Sequence, residues 1–186
     1  MCKFFVEEYH MFYSKYKMNL YSVTKDSLRK VNAKVEIIFV PISWDNIELV
    51  KELRGKKYVK DFKEHLKNND LGLYALCDGM PVGYGWKKNK DVFYKFDSKT
   101  CYLGNFYVNN SYRGRGIYPS LISELINQLN YKRYYIAAYD TNKSSINGLL
   151  KVGFSFVRQD VFYRILKVTI VKKILCSVNV EERISV

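Results

Sequence analysis

Two arginines and two glycines, in the run Tyr112-Arg113-Gly114-Arg115-Gly116-Ile117-Tyr118, are the residues of this 186-residue chain best arranged to do chemistry. The run lies between a strand-like segment, Cys101 to Val108, and a helical stripe that begins near Pro119. The first N–H groups of a helix lack internal partners and carry partial positive charge, so a phosphate can settle there. Glycine allows φ > 0 and close approach of the backbone, and arginine adds a charge that is hardly ever lost. A Walker phosphate loop would need Gly-Lys-Ser/Thr, but Gly116 is followed by Ile117-Tyr118-Pro119. A dinucleotide fingerprint would need a third glycine where Pro119 stands. An RNA-binding arginine-glycine segment would be repeated and disordered, whereas this one is single and wedged between regular elements. Taken alone, the run reads equally as an anion cradle and as an arginine-rich surface turn.

Other reactive side chains are sparse. Cys2, Cys77, Cys101 and Cys176 are scattered with no C-x-x-C pair, which points to reduced thiols rather than a disulfide framework or zinc. The only histidines are His10 and His65, which argues against a metal site and against a Ser-His-Asp triad. No metal is expected. The net charge of +13 is uneven: 14 basic face 10 acidic residues up to Asp70, and 17 face 8 from Leu71 onward. Nucleic acid, an acidic membrane surface and a phosphorylated cofactor would all suit that charge. The aromatics are not concentrated in a basic stretch, so nucleic acid is the weakest of the three. No run approaches the ~18 to 20 apolar residues of a membrane span, and the apolar run at the N-terminus is too short for a signal peptide. A cytoplasmic protein is expected.

The elements around the run follow from periodicity. Val35 to Val40 reads as a strand stopped by Pro41, and Asp45 as the cap of a helix ended by Gly55. Lys56 to Asn69 reads as a second helix. Leu71 to Cys77 and Pro81 to Trp86 flank Asp78-Gly79, a hairpin turn. Cys101 to Val108, a helix from about Pro119 to Leu129 and a strand from Tyr134 to Tyr139 come next. Ser144 or Ser145 is expected to cap a short helix ended by Gly153, and Phe154 to Arg158 and Val161 to Val171 read as two closing strands. The order β-α-α-β-β-β-α-β-α-β-β predicts an α/β (α+β) fold: a mixed, mainly antiparallel sheet flanked by helices. Residues 34–186 are expected to form the domain. Residues 1–33, rich in Phe and Tyr, are expected to pack on it as an extension, over a sheet edge or as a subunit contact in a homodimer.

With these elements in place, the chain resembles the GCN5-related N-acetyltransferase (GNAT) superfamily. That family's acetyl-CoA turn follows Arg/Gln-x-x-Gly-x-Gly/Ala after a strand ending in valine, matched here by Val108 and by Arg113 to Tyr118. A second block follows at the family's spacing, Asn142 and then Gly153-Phe154. The resemblance covers residues 34–171. It implies acetyl-CoA as co-substrate, bound along Phe106, Tyr107 and Val108, on the turn Arg113-Gly114-Arg115-Gly116-Ile117-Tyr118, and by Asn142. It implies a primary amine as small-molecule acceptor. The Ile117-Tyr118-Pro119 variant and the run Asn142 to Ile146 are similar to members associated with surface-polysaccharide synthesis, which suggests an amino sugar or its nucleotide-linked form; protein or peptide N-termini and small polyamines are the alternatives, the positive charge being a poor match for polyamines. Two positions depart from the pattern: Tyr118 replaces the last Gly/Ala, and Leu149 stands where many members place a tyrosine as general acid. No base is evident in the sequence. Tyr139 and Asp140, at the end of the strand after the turn's helix, are the catalytic candidates, with sheet packing and turn formation as their ordinary roles. Asp97 is a weaker one. The departures leave open a non-catalytic module that binds acyl-CoA.

Overall fold

The computed structural model describes residues 13–89, 91, 94, 97–165 and 168–174. Phe4, Phe5, Tyr9 and Phe12, part of the basis for expecting an ordered extension, lie outside the described residues, as do Cys2, His10 and Cys176. Eight described strands form one sheet: β1 (Tyr13–Thr24), β2 (Ile38–Pro41), β3 (Leu71–Cys77), β4 (Met80–Lys88), β5 (Thr100–Val108), β6 (Arg133–Tyr139), β7 (Ser155–Ile165) and β8 (Val168–Ile174). Their order is β2-β3-β4-β5-β6-β1-β7-β8. Every neighbouring pair is antiparallel except β5 with β6. The helices are α1 (Val50–Arg54), α2 (Tyr58–Lys67), α3 (Ile117–Asn127) and α4 (Lys143–Val152). The mixed, mainly antiparallel sheet flanked by helices is the fold expected from the element order.

The largest difference concerns β1. The stretch expected to lie on the domain or cover an edge is instead an interior strand, paired with β6 on one side and β7 on the other. The reason is its two-sided burial: Leu20 packs with Tyr94, Tyr102 and Phe162 on one face, and past a bulge Tyr21 and Val23 join the core on the other. Tyr16, Met18 and Leu20 alternate with Lys15, Lys17 and Asn19, and the phase then changes at Tyr21 and Val23, so no single period runs through the segment. The following segment is strapped over α3 and α4. Ser120 Oγ donates to Val31 O at 2.7 Å and Ser123 Oγ to Arg29 O at 3.3 Å. The backbone bonds Lys34 N to Arg115 O, 2.8 Å, and Arg29 N to Val152 O, 2.9 Å, complete it. The two serines, nearly buried, thereby find acceptors.

Smaller differences have local causes. The first strand after the strap is Ile38–Pro41, shorter than expected, with Pro41 its last residue on a sheet edge where no ladder donor is required. Asp45 caps nothing; Asn46 organises that turn, accepting from Ser43 N at 2.9 Å and donating to Pro41 O at 2.8 Å. The two expected closing strands at 154–158 and 161–171 are bounded differently. β7 runs unbroken through Asp160, because that buried carboxylate is satisfied by Arg158 Nε at 2.9 Å and Tyr94 Oη at 3.0 Å.

The α3 and α4 face carries the main core, in which Leu121, Ile122, Leu125 and Ile126 of α3 meet Leu73, Leu103 and Ile136 of the sheet. The opposite face over β2 to β4 is closed by α1 and α2, whose Phe62 packs edge-on to Tyr84 and Trp86.

Candidate active site

The parallel pair β5 and β6 holds only from Thr100↔Arg133 to Leu103↔Ile136. Beyond Leu103 the two strands part, and a bulge explains where. β4 pairs Trp86 with Gly104 but Tyr84 with Tyr107, so Gly85 faces two residues, Asn105 and Phe106. Asn105 takes φ +54 to make this possible. The ring of Phe106 lies directly over Gly85, where an added Cβ would sit 2.1 Å from it. Past the bulge, β5 leans away from β6 and opens a cleft of 610 Å³.

The mouth of the cleft toward α3 is the arginine-glycine turn. Gly114 and Gly116 have φ +76 and +79, the left-handed region that a side chain would strain. Gly116 is the N-cap of α3, so the helix begins at Ile117 rather than at Pro119. Among the described residues, none of the amides from Gly114 to Tyr118 donates to a protein acceptor, and a Cβ built on Gly114 meets nothing within 4 Å. The cradle is open, its donors are free, and Arg113 stands at its edge with Nε donating to Val108 O at 3.3 Å. A pyrophosphate fits this chemistry.

Most residues expected at the site border the cleft: Phe106, Tyr107 and Val108 from β5, Arg113, Gly114, Gly116, Ile117 and Tyr118 from the turn, Tyr139 and Asn142 from the end of β6 and the start of α4. Arg115 does not. Its guanidinium lies 5.1 Å from the Tyr112 ring and its carbonyl accepts from the strap, so only its backbone belongs to the turn. Asp140 does not either; its N–H bonds Lys17 O at 3.2 Å, tying the strand end to β1. Tyr139 is half exposed at the rim, edge-on to Tyr16 at 5.7 Å. Asn142, not Ser144 or Ser145, is the N-cap of α4, its Oδ1 accepting from Ser145 N at 3.1 Å.

The departure at Tyr118 is accommodated by α4. Its ring stands edge-on to Phe106 at 5.5 Å and its hydroxyl bonds the Ser145 side chain. Gly148 faces it so closely that an added Cβ would fall 2.7 Å from Tyr118 Cδ1. Burial raises the phenol well above its ordinary value, so it stays neutral. Leu149 is fully buried among core residues and does not reach the cleft. Cys101 is buried too, its thiol pushed up to about 12 by desolvation, which removes it as a nucleophile. Asp97 holds a turn through Thr100 Oγ1 and Lys99 N.

Two contributions escaped sequence reasoning. Met18 of β1 borders the cleft although its segment was expected as an extension packed on the domain. On the α2 side, His65 Nδ1 lies 2.7 Å from Asp70 Oδ2 and Nε2 lies 2.8 Å from Nδ2 of Asn105, the bulge residue that borders the cleft. No local spacing announces a group whose partners are five and forty residues away. Among the described residues no cluster of three His, Cys, Asp or Glu could hold a metal, and no helix is long and apolar enough to cross a membrane.

Residues 41–154 match the family model described as "Acetyltransferase (GNAT) family". The chain belongs to the GNAT acetyltransferase family. Solved structures agree on the GNAT fold. A functionally unknown conserved protein from Staphylococcus epidermidis ATCC 12228 aligns with TM-score 0.61 and 19% identity over 94% of this chain and 69% of its own. A tandem GNAT protein from the clavulanic acid biosynthesis pathway aligns with TM-score 0.59 and 13% identity over 80% of this chain, which spans 52% of that protein. The aminoglycoside N-acetyltransferase AAC(6')-Iy, solved with CoA, aligns with TM-score 0.51 and 21% identity over 63% of this chain and 91% of its own. A search of curated sequences found no match.

Proposed function

We propose that this GNAT chain transfers an acetyl group from acetyl-CoA to the nitrogen of a primary amine. The observation that carries this reading is the open cradle: unpaired amides from Gly114 to Tyr118 at the start of α3, beside a cleft where β5 and β6 part. The amides and Arg113 would hold the pyrophosphate, and the chain's own β5 edge, unpaired beyond Leu103, would offer a backbone N–H near Val108 to the thioester carbonyl. Acetyl-CoA supplies an activated acyl carbon. Holding the amine against it removes much of the entropic barrier. Tyr139, half exposed at the rim, would protonate the departing thiolate; Asp140, off the cleft, takes no part in this reading.

An amino sugar or nucleotide-linked amino sugar is the acceptor class the reading favours. The Ile117-Tyr118-Pro119 variant suggests it, and one structural neighbour is by name an aminoglycoside N-acetyltransferase, acting on that broad chemical class. A non-catalytic CoA-binding module is the second reading, favoured by the core position of Leu149. Calorimetry with CoA, then thiol release from acetyl-CoA against amino sugars, alkylamines and peptides between about pH 6.5 and 9.5, separates the readings. CoA binding with amine-dependent thiol release is expected. CoA binding with no release above hydrolysis would favour the module, and absence of CoA binding would end both.

A further inference from the structure

We propose that His65, oriented by Asp70, is the group that takes the proton from the acceptor amine, a role that rests on the acyltransferase reading above. His65 sits in the last turn of α2 and Asp70 just before β3. The Asp70 side chain is 3% exposed, and both its oxygens are engaged: Oδ2 by His65 Nδ1 at 2.7 Å and Oδ1 by Asn89 N at 2.6 Å. A carboxylate accepts only, so it selects the tautomer with the proton on Nδ1 and leaves Nε2 as a lone pair. Nε2 points to Asn105 Nδ2 at 2.8 Å, a donor, which agrees with that tautomer. The imidazole also stacks on Trp86, with centroids 4.5 Å apart and planes 16° from parallel. Carboxylate, indole and amide thus hold the ring on three sides, and its basic nitrogen faces the bulge residue that borders the cleft.

The bulge ties this group to the chemistry. Asn105 is where β5 leaves β6, next to Phe106, whose backbone lies along the expected thioester path. An amine entering to attack there can displace the exposed Asn105 amide from Nε2 and take its place as donor. Other charges around the ring are arranged elsewhere. Lys87 of β4 turns to Asn89, Glu64 pairs with Lys67 at 3.2 Å, and Asp61, exposed one turn before His65 on the same side of α2, lies within electrostatic reach of Tyr84.

The step balances without a further reactant. An alkylammonium must lose a proton before its nitrogen has a pair to give. The nitrogen forms a bond to the acyl carbon, the carbon–sulfur bond breaks, and its electron pair leaves on the CoA sulfur. One proton of the ammonium passes to His65 Nε2 before attack, where the imidazolium is balanced by Asp70, and returns from there to solvent. The second leaves nitrogen as the amide forms and reaches the CoA sulfur through water or Tyr139.

The test compares wild type, His65→Gln, His65→Ala and Asp70→Asn, using the amine that gives the fastest thiol release in the acceptor panel, with CoA calorimetry on each. His65→Gln should lower kcat about 10²- to 10⁴-fold, leave the CoA Kd within about twofold, and abolish the acid limb of the pH profile. Asp70→Asn should lower kcat less and shift that limb. Added imidazole should restore part of the rate of His65→Ala, which a purely structural histidine would not allow. Wild type alone gives a second readout if the variants do not fold. With two acceptors of different basicity, an enzyme base leaves the acid limb at one pH, whereas a limb that follows the amine overturns the proposal. So does a His65→Gln enzyme with kcat within about threefold of wild type and an unchanged limb. Failure of wild type to bind CoA would sink the acyltransferase reading and this one together; binding with the limb results just named would sink this one alone.

Discussion

The α3 wall of the cleft and the His65 cluster behind its bulge are made in opposite ways. The α3 wall is one continuous run, Arg113 to Tyr118, whose useful groups are mostly backbone amides freed by two left-handed glycines. The cluster on the α2 side, which reaches the cleft only through Asn105, is assembled from a helix end, the residue before β3, a β4 indole and a β5 bulge, and its useful groups are side chains. A continuous backbone site announces itself in local spacing, because glycine and helix-start signals are themselves local. An assembled site does not, because each residue in it has an ordinary reason to be where it is.

Substitution at the two turn glycines should break this contrast most severely. Gly116 carries φ +79, and a Cβ there would meet Asn32 O at 3.1 Å and Ala33 Cα at 3.4 Å. Gly116→Val should lose about 2 to 4 kcal/mol in denaturant unfolding, from left-handed strain and from pressure on the strap, together with CoA binding. Gly114 has the same strain but open space, so Gly114→Ala should lose only about 1 kcal/mol while its methyl obstructs the cradle. CoA affinity should fall about tenfold or more for both. Equal stability losses would mean that the strap does not constrain the turn, and the α3 wall would be as local as its sequence.

At Leu149 the family pattern and the geometry diverge. The resemblance places a phenolic acid there, yet the side chain is fully buried in the core. Leu149→Tyr should therefore destabilise by about 1 to 3 kcal/mol through overpacking and leave turnover no higher. An increase in kcat for this variant would show that α4 can rotate a side chain into the cleft. Where the two departures meet, Tyr118 and Gly148 should behave as one unit. Gly148→Ala should be unfavourable beside Tyr118 and tolerated beside Tyr118→Ala, with a coupling of about 1 kcal/mol in a double-mutant cycle. Additive effects would separate them.

Much of the fold was legible because its signals were local. The hairpin at Asp78-Gly79, the amphipathic α3 and the Arg113 to Gly116 turn all lie where spacing and residue type place them. β1 was not legible: its apolar alternation changes phase at the bulge between Leu20 and Tyr21, and only its pairing with β6 and β7 reveals why Leu20, Tyr21 and Val23 are all apolar. The cap of α4 was misplaced by two or three residues because Asn142 and the serines are equally good acceptors by type, and only the bond to Ser145 N decides between them. At the site, the weak candidate Asp97 aside, ten of the twelve expected residues border the cleft. The two that do not, Arg115 and Asp140, failed for one reason: strand and turn periodicity says which residue is near a site but not which way its side chain leaves the backbone.

That last point yields the smallest effect and the finest test of the α3 wall. Arg113 and Arg115 are indistinguishable in the motif, both arginines flanking Gly114. In the structure Arg113 borders the cleft and is anchored by its Nε bond to Val108 O, whereas the Arg115 guanidinium lies over Tyr112. A guanidinium in direct contact with a phosphate is worth about 1.5 to 3 kcal/mol, while a solvated charge a Debye length away is largely screened. Arg113→Ala should thus raise the CoA Kd at least about tenfold, and Arg115→Ala by less than about threefold, with the smaller effect vanishing as salt is raised. Dephosphorylated pantetheine should bind both variants and wild type alike. If Arg115→Ala weakened CoA as much as Arg113→Ala at high salt, the Arg115 side chain would have to leave Tyr112 and turn into the cleft on binding, and the α3 wall would owe as much to side chains as the His65 cluster does.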